Sequence, residues 1–345
     1  MNVSTCASAM RACSYGHVKP AEAAASGPWD NGRGPRVRVM CLGAGAIGGY
    51  FGGRLIEGGQ DVTFIVREGR RKTLLEEGIR IRSTFGDFSS KAKAVTTDEI
   101  REPADLVILT CKAYDLDSAI DAISPAVGPQ TAVLPLLNGI AHMAVLNARF
   151  GEERVLGGLA KIAATLSADG VIQHLNDWRY ITFGEQNGLM SDRVVALKQA
   201  FDRTSVVAKA VPDIMQEMWN KVVHLATVAG MTTLMRASVG EIARTAEGSS
   251  LMIRFLHANA AIAGQEGYAP SDAFLDEYRK LFADRSSGYT ASMLRDIERH
   301  GPIEGDHIIG FMLRKAREHG IDDTIHRIAC THLEAYEARR EAGRL

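Results

Sequence analysis

Short apolar runs alternate with helix-length segments in the first part of the chain. Residues 36–42 are mostly apolar, as expected of a strand buried in a parallel sheet, and they run directly into glycines. Further strands are predicted at 62–66, 106–111 and 131–136, with helices near 46–58, 68–77 and 115–124. This alternation predicts an α/β fold with a doubly wound parallel sheet.

The strand pattern is weaker over residues 154–210. Short strand-like pieces at 171–174, 180–183 and 206–210 surround a helical segment near 191–203. We expect this region to form the far edge of the same sheet.

From Pro212 onward the spacing of apolar residues is helical. Asp213 is expected to cap the first helix, and Gln216, three residues later, to complete a capping box. Helices are predicted near 214–236, 238–245, 248–266, 272–282, 289–299, 303–318 and 322–338. The sequence therefore predicts a Rossmann-type domain over residues 36–210 and an all-helical domain over residues 211–340.

The composition is that of a folded protein with about two domains. The 345 residues are 46% hydrophobic and 23% charged, and 40 Lys and Arg balance 41 Asp and Glu for a net charge of −1. That balance argues against nucleic acid as a partner. The longest apolar stretch, residues 222–235, contains His224 and several threonines and is shorter than the roughly 18–20 residues of a membrane-spanning helix, so we expect no membrane segment.

The N-terminal residues and the cysteines bear on cellular location. Residues 1–35 are rich in Ala, Ser and Gly and have no continuous apolar segment, so they do not resemble a secretory signal. We interpret them as a disordered extension or a misassigned start, with an organelle transit peptide as the alternative. The five cysteines have no metal-ligand spacing, which predicts free thiols, a cytoplasmic protein and no metal site.

A glycine-rich turn joins the first predicted strand to the first predicted helix. It reads Gly43-Ala44-Gly45-Ala46-Ile47-Gly48, a G-x-G-x-x-G motif where dinucleotide-binding folds have it. Gly43 allows the tight turn, Gly45 lets a pyrophosphate approach the backbone, and Gly48 lets helix and strand pack closely. The N–H groups at the helix N-terminus can bind the anion, so the motif predicts a dinucleotide cofactor.

Arg67 ends the second predicted strand, nineteen residues after Gly48. NAD-preferring sites have an acidic residue near this position that binds the ribose 2′-hydroxyl. A guanidinium can instead bind a 2′-phosphate, so we expect NADP(H), with a solvent-facing arginine as the alternative. Lys112 and Asn138 follow later strands, at the sheet edge where open α/β folds bind ligands, although Asn138-Gly139 is also a common turn pair.

These motifs together resemble the ketopantoate reductase (2-dehydropantoate 2-reductase) family. The glycine turn and Arg67 are followed by Thr110-Cys-Lys112-Ala, Leu137-Asn138-Gly139, Trp219-Asn-Lys221 and Ser292-Met-Leu-x-Asp296 with Glu304. The resemblance implies a Rossmann domain, a helical C-terminal domain, and NADPH-dependent reduction of a 2-oxo acid to a 2-hydroxy acid in the cleft between them. In its specific form it implies reduction of ketopantoate to pantoate in pantothenate biosynthesis.

The resemblance also implies roles for four side chains. Lys221 matches the family's general acid, and Glu304 matches a glutamate at the cofactor and substrate site. Ser292 matches a serine that binds substrate, and Asn138 matches the asparagine near the nicotinamide. An ammonium beside the ketone oxygen would stabilise the developing alkoxide and supply its proton, and Glu304 would hold Lys221 in place.

The chain departs from the family pattern after Lys221. Family members that use ketopantoate typically carry asparagines four and eight residues later, where this chain has Leu225 and Ala229. The loss of two amides preserves the reaction type but weakens the assignment of ketopantoate. A reductase of a less polar 2-oxo acid or ketone is the alternative, and a non-catalytic NADP(H)-binding sensor is a lesser one. The sequence does not specify the oligomeric state, although the resemblance is compatible with a homodimer.

Overall fold

A computed structural model of the protein describes Trp29 and residues 37–345. Our interpretation of residues 1–35 lies outside this part of the chain, apart from Trp29. The Trp29 side chain is partly buried and packs against the apolar core of the N-terminal region.

Residues 37–345 contain ten strands and twelve α-helices. The strands are β1 (Arg38–Leu42), β2 (Asp61–Ile65), β3 (Ile79–Arg82), β4 (Phe88–Ser90), β5 (Lys93–Val95), β6 (Leu106–Leu109), β7 (Ala132–Pro135), β8 (Leu156–Leu166), β9 (Ile172–Glu185) and β10 (Val207–Ala210). The α-helices are α1 (Ala46–Glu57), α2 (Glu68–Glu77), α3 (Leu116–Ile123), α4 (His142–Phe150), α5 (Asp192–Phe201), α6 (Ile214–Met235), α7 (Val239–Ala243), α8 (Gly248–Gln265), α9 (Asp272–Ala283), α10 (Ser292–Glu298), α11 (Phe311–Glu318) and α12 (Thr324–Glu341). A π-helical turn, Asp306–Gly310, leads into α11.

The first sheet has the strand order β5-β2-β1-β6-β7, and every neighbouring pair is parallel. Strands β6 and β7 are buried at every position, as a parallel sheet covered on both faces requires. Strand β2 lies on one side of β1 in the sheet, and β6, which comes later in the chain, lies on the other side of β1. The strand order therefore reverses between β1 and β6. Open α/β sheets bind ligands at such a point, beyond the carboxyl ends of the strands. The predicted α/β class and parallel sheet are confirmed.

The prediction that residues 154–210 form the far edge of this sheet is wrong. They contribute to a second sheet of order β10-β9-β3-β4, in which β8 pairs antiparallel with β9. One isolated bridge, between Val133 and Val155, links the two sheets. The sequence pattern could not reveal this division, because β9 pairs with β3, a strand from a much earlier part of the chain.

The predicted strand pieces 171–174 and 180–183 belong to the single strand β9. Its ladder with β8 shifts register between Ile162 and Ala164, so the residues between the two pieces bulge out of regular pairing. A bulge bends the strand and redirects its side chains, here including Trp178, toward the cleft described below.

The chain from residue 212 to residue 345 contains helices and no strand, which confirms the helical C-terminal part. The predicted capping box at the start of α6 is not formed. Asp213 has φ −103° and ψ 42°, not the extended geometry of a capping residue, and its side chain makes no capping bond. Gln216 donates instead to the Asn220 side chain and the Tyr268 carbonyl. The domain limits at residues 210 and 340 stay predictions.

Two features of the described residues relate to location. Cys41, Cys111 and Cys330 carry free thiols, as predicted, whereas Cys6 and Cys13 lie outside the described part of the chain. None of the helices in that part combines the length and the apolar character needed to cross a membrane. The cytoplasmic location stays a prediction.

Candidate active site

A cleft of about 1990 Å³ extends from the carboxyl edge of the first sheet to the face of α6. This volume exceeds the 300–1,000 Å³ or so of a typical small-molecule pocket, so it can hold a dinucleotide together with a small substrate. The strands β8 and β9 and the helical part form its other walls. Every site residue predicted from the sequence lines it: Gly43, Ala44, Gly45, Ala46, Ile47, Gly48, Arg67, Lys112, Asn138, Lys221, Ser292 and Glu304.

The glycine turn has a different constraint at each glycine. Gly43 has φ +88°, a conformation that side chains disfavour. A Cβ added at Gly48 would lie 2.3 Å from the Gly43 carbonyl oxygen and 2.5 Å from the Thr110 hydroxyl, so only glycine fits there. A Cβ added at Gly45 would meet no atom within 4 Å. The backbone at Gly45 therefore borders open space in the cleft, where a ligand can approach it.

The N-terminus of α1 faces this space without a capping side chain or an acidic residue in its first turn. Its N–H groups can therefore bind an anion. Arg67 is exposed at the N-terminus of α2, lines the same cleft, and makes no side-chain hydrogen bond or ion pair within residues 37–345. The adjacent Glu68 is exposed and bonds Arg71. The guanidinium of Arg67 is thus available to an anionic ligand.

A polar network joins the sheet edge to the helical part. Lys112 Nζ lies 3.3 Å from Glu304 Oε2 and 3.3 Å from Asp296 Oδ2. The Glu304 carboxylate also accepts hydrogen bonds from the Ala113 N–H at 3.1 Å and from the Asn138 amide at 3.5 Å. Burial lowers the pKa of Lys112, but the charges of Glu304 and Asp296 outweigh that effect and raise it above its usual range.

Lys221 lies on the opposite wall, on α6. Its Nζ donates a hydrogen bond to the Ala160 carbonyl of β8 at 3.0 Å, the one hydrogen bond of this ammonium within residues 37–345. Burial lowers the pKa of Lys221 to about 8, although the charge of Glu304 partly opposes the shift. The expectation that Glu304 holds Lys221 in place is wrong for this structure, because the carboxylate bonds Lys112 and Asn138 and the lysine bonds a backbone carbonyl.

Asn138 and Gly139 form the turn after β7, where Gly139 has φ +80°. The ring of His307 packs against this glycine, since a Cβ there would lie 2.7 Å from the His307 Cδ2. His307 also stacks on the fully buried His142, with 3.4 Å between His307 Nε2 and His142 Nδ1. The pKa of His142 is lowered to about 3, first by burial and further by the charges of His307 and Lys221. Two neutral imidazoles therefore support the turn that carries Asn138.

The two positions that depart from the family pattern differ in the structure. Leu225 lines the cleft one helical turn beyond Lys221. Ala229 is fully buried in the core and does not line the cleft. Of the two missing amides, only the one at position 225 changes the cleft wall. Ser292, the first residue of α10, lines the cleft and makes no side-chain hydrogen bond among the described residues.

Two family models match this chain. The model described as "Ketopantoate reductase PanE/ApbA" matches residues 39–188, and "Ketopantoate reductase PanE/ApbA C terminal" matches residues 213–337. Together they cover well over half of the sequence. This chain belongs to the ketopantoate reductase family. The resemblance inferred from its motifs is thereby confirmed.

Individual members of the ketopantoate reductase family match over most of the chain. The uncharacterized oxidoreductase YkpB of Bacillus subtilis is 33% identical over 88% of this chain and 100% of its own length. A 2-dehydropantoate 2-reductase of Mesorhizobium japonicum is 27% identical over 79% of this chain and 89% of its own. The crystal structure of 2-dehydropantoate 2-reductase from Methylococcus capsulatus superposes with a TM-score of 0.80 at 26% identity, over 88% of this chain and 97% of that one. The protein is an oxidoreductase of this family.

A nicotinamide dinucleotide, the cofactor class of the family, fits the cleft. The open space at Gly45, the uncapped N-terminus of α1 and the guanidinium of Arg67, which is unpaired within residues 37–345, all border this cleft and can bind the phosphates of such a ligand. Lys221 and Ser292 line the same cleft.

The sequence reasoning missed several residues of the cleft. The carbonyl of Ala160 and the side chains of Lys161 and Trp178 come from β8 and β9, whose residues match no motif. His142 and His307 do not line the cleft but support the turn that carries Asn138; they have no spacing typical of catalytic or metal-binding histidines, and their contact with each other depends on folding. No local signal in the sequence would have assigned any of them to the site.

Proposed function

We propose that this protein catalyses the NADPH-dependent reduction of a 2-oxo acid to a 2-hydroxy acid, with Lys221 as the proton donor. The observation that carries the proposal is the position of Lys221, whose ammonium bonds one backbone carbonyl and lines the same cleft as the glycine turn. Since its pKa is lowered to about 8, it is a stronger acid near neutral pH than an ordinary lysine. In this proposal the protein is an NADP-dependent oxidoreductase acting on CH–OH groups.

The reaction adds a hydride to the keto carbon and a proton to the keto oxygen. The bound nicotinamide supplies the hydride. Lys221 stabilises the negative charge that develops on the oxygen and then donates a proton to it, so that C=O becomes C–OH. The lysine amine regains a proton from solvent. The 2-oxo acid gains two electrons and two hydrogens, and the NADPH is oxidised to NADP⁺.

In this proposal, other polar residues bind and orient the cofactor and the substrate. Glu304 contacts the cofactor and the new hydroxyl, and it keeps Lys112 and Asn138 in place through the network described above. Asn138 orients the nicotinamide and the substrate. Ser292, whose hydroxyl makes no hydrogen bond among the described residues, binds the substrate from the start of α10.

The cofactor is held by the glycine turn, residues 43–48, together with Arg67 and Lys112. The choice of NADP(H) over NAD(H) rests on Arg67, because its guanidinium is exposed and unpaired within residues 37–345 at the end of β2. A 2′-phosphate would provide the anionic partner that this side chain lacks.

Two substrates are supported by different observations. The names of several relatives, including the 2-dehydropantoate 2-reductase of Mesorhizobium japonicum, support ketopantoate and a role in pantothenate biosynthesis. Leu225 in the cleft wall supports a less polar 2-oxo acid or ketone. A homodimer and a cytoplasmic location complete the proposal.

The test is steady-state NADPH oxidation with ketopantoate and a panel of other 2-oxo acids, with NADH in parallel. We expect Lys221→Ala to lower kcat by about 10²–10⁴-fold while NADPH binding, followed by its fluorescence, is retained. Lys198→Ala is the matched control, because Lys198 lies on α5 outside the cleft and pairs with Asp202, the residue that follows this helix. Unchanged turnover in Lys221→Ala would exclude it as the proton donor. NADPH binding without turnover of any substrate in the wild type would favour the non-catalytic sensor.

A further inference from the structure

The end of the cleft beyond Lys221 is lined by five aromatic side chains from four segments of the chain. They are Trp178 on β9, His224 on α6, Phe274 and Tyr278 on α9, and Tyr289 before α10. We call these residues the aromatic wall. None of them belongs to a motif that we identified in the sequence, and all five are brought to one place by the fold.

The rings of the aromatic wall are held by contacts with one another. The His224 ring stacks on Tyr278, with 4.3 Å between centroids and 22° between planes, and on Tyr289 at 5.7 Å and 12°. The His224 Nε2 lies 3.2 Å from the Tyr289 hydroxyl oxygen. Trp178 meets Tyr289 edge to face at 6.5 Å, and Phe274 meets Tyr278 at 4.6 Å. The Lys161 ammonium lies 4.6 Å from the centroid of the Trp178 ring, so the wall is a preformed set of rings with one cation against it.

This part of the cleft lacks the amide groups that the family pattern places after Lys221. The pKa of His224 is lowered to about 3, first by burial and further by the charges of Lys161 and Lys221, so its ring is neutral. Leu225 places an aliphatic side chain beside the ring, and α6 has no amide side chain after Lys221. A substrate hydroxyl placed here would gain no amide partner from α6, and the polar atoms of this end include the His224 ring nitrogens and the Tyr278 and Tyr289 hydroxyls.

The spacing of residues along α6 places Leu225 and His224 within about one helical turn of Lys221. Lys221 and Leu225 are four residues apart on α6, which places their Cα atoms about 6 Å apart along the helix axis. If the keto oxygen contacts Lys221, a ring joined to the keto carbon through one methylene group reaches over Leu225 to the aromatic wall. A branched aliphatic side chain with a terminal hydroxyl is shorter and would leave the rings uncovered.

We propose that the substrate is a 2-oxo acid with an aromatic ring on C3, and that this ring stacks on the aromatic wall against Leu225. The inference rests on the proposed function and names its substrate class. The redox step is unchanged: the keto carbon receives the hydride, its oxygen receives the proton of Lys221, and the ring takes no part. Offset or edge-to-face contacts between aromatic rings add to the apolar area that is buried.

The first experiment compares three substrates in steady-state NADPH oxidation by the full chain. They are 3-phenyl-2-oxopropanoate, its saturated analogue 3-cyclohexyl-2-oxopropanoate, and ketopantoate. We expect kcat/KM for the phenyl compound to exceed that for ketopantoate by about tenfold or more, as a few apolar contacts can provide. It should exceed that for the cyclohexyl compound about threefold, because only the planar ring stacks. Preference for ketopantoate, or equal values for the two rings, would overturn the inference.

The second experiment locates the ring with variants. Leu225→Asn introduces the amide of the family pattern and is expected to shift the kcat/KM ratio toward ketopantoate by about tenfold. Trp178→Ala, at a side chain that is 38% exposed, is expected to raise KM for the phenyl compound about fivefold and to affect 2-oxopropanoate, which has no ring, clearly less. Leu189→Ala is the control, since Leu189 is 62% exposed and outside the cleft. An equal loss on both substrates in Trp178→Ala would assign Trp178 a structural role and contradict the inference.

The outcomes separate this inference from the proposed function. Turnover of aliphatic 2-oxo acids without preference for the ring would leave the proposed function in place and overturn the inference. NADPH binding without turnover of any 2-oxo acid would overturn both.

Discussion

The Lys112 ammonium lies 3.3 Å from the Glu304 carboxylate, although the two residues are 192 positions apart in the chain. The Glu304 side chain is only 5% exposed, whereas the second partner of Lys112, Asp296, is 30% exposed. This ion pair connects the edge of the first sheet to the helical part at the cleft. It also fixes the acceptor for the Asn138 amide.

The different burial of its two carboxylates predicts unequal contributions to stability. We expect Glu304→Gln to lower the free energy of unfolding by about 1–3 kcal/mol, because a buried charge-assisted bond is lost and Lys112 keeps only one anionic partner. Asp296→Asn should cost less than about 1 kcal/mol, since water screens this pair better. Urea unfolding of both variants checks the difference. Equal losses would show that the network does not depend on Glu304.

The lowered pKa of Lys221 predicts the pH dependence of the reaction. The ammonium form donates the proton, so kcat/KM for ketone reduction should be constant below about pH 8 and fall tenfold per pH unit above it. An ordinary lysine, with a pKa of 10.5, would keep the rate constant beyond pH 9. A profile of kcat/KM against pH at saturating NADPH measures this alkaline fall, which we call the alkaline limb. In Lys221→Arg the limb should disappear, because guanidinium stays protonated. A wild-type profile that is flat to pH 10 would contradict the assignment.

Arg67 should control the choice between cofactors. We expect Arg67→Ala to lower the NADPH-to-NADH ratio of kcat/KM by about 10–100-fold, the equivalent of one lost hydrogen-bonded charge contact. Binding of NADH should change little. Lys72→Ala is the matched control, because Lys72 is an exposed cation on α2 outside the cleft. If both variants lower the ratio equally, general charge and not a specific contact determines the preference.

Two glycines of the turn should respond differently to the same substitution. Gly45→Ala should leave thermal stability unchanged, since its Cβ would meet no atom within 4 Å, but weaken NADPH binding on the order of tenfold by filling the space for the ligand. Gly48→Ala should destabilise the fold by about 1–3 kcal/mol, because its Cβ would collide with the Gly43 carbonyl. Thermal denaturation and NADPH titration of both variants separate the effects. Full NADPH affinity in Gly45→Ala would argue against approach of the cofactor at this position.

The predictions made from local patterns agree best with the structure. The glycine turn could be placed because a buried strand, three spaced glycines and a helix occur in sequence, and each step constrains the next. Lys112 and Asn138 could be placed at the cleft because both follow buried strands of one parallel sheet. The register of that sheet sets the carboxyl ends of β1 and β6 side by side, with Leu42 opposite Leu109.

The errors concern contacts between distant parts of the chain. The second sheet was missed because β9 pairs with β3, a strand from a much earlier part of the chain, and no feature within residues 154–210 identifies that partner. Glu304 was expected to bond Lys221, but its carboxylate bonds Lys112 across the cleft. A motif identifies which residues belong to a site. Which of the neighbouring polar groups each of them bonds depends on how the segments of backbone approach one another in the fold.

The amino-acid sequence alone determined the α/β class, the family and the motif residues that line the cleft, because each depends on short periodic patterns or motifs. Only the tertiary structure decided that Lys221 bonds the Ala160 carbonyl, that Ala229 is buried away from the cleft, and that five aromatic residues meet beyond Lys221. The physical reason is that burial and the partners of a polar group are set by segments far apart in the chain. Those segments become neighbours only when the chain is folded.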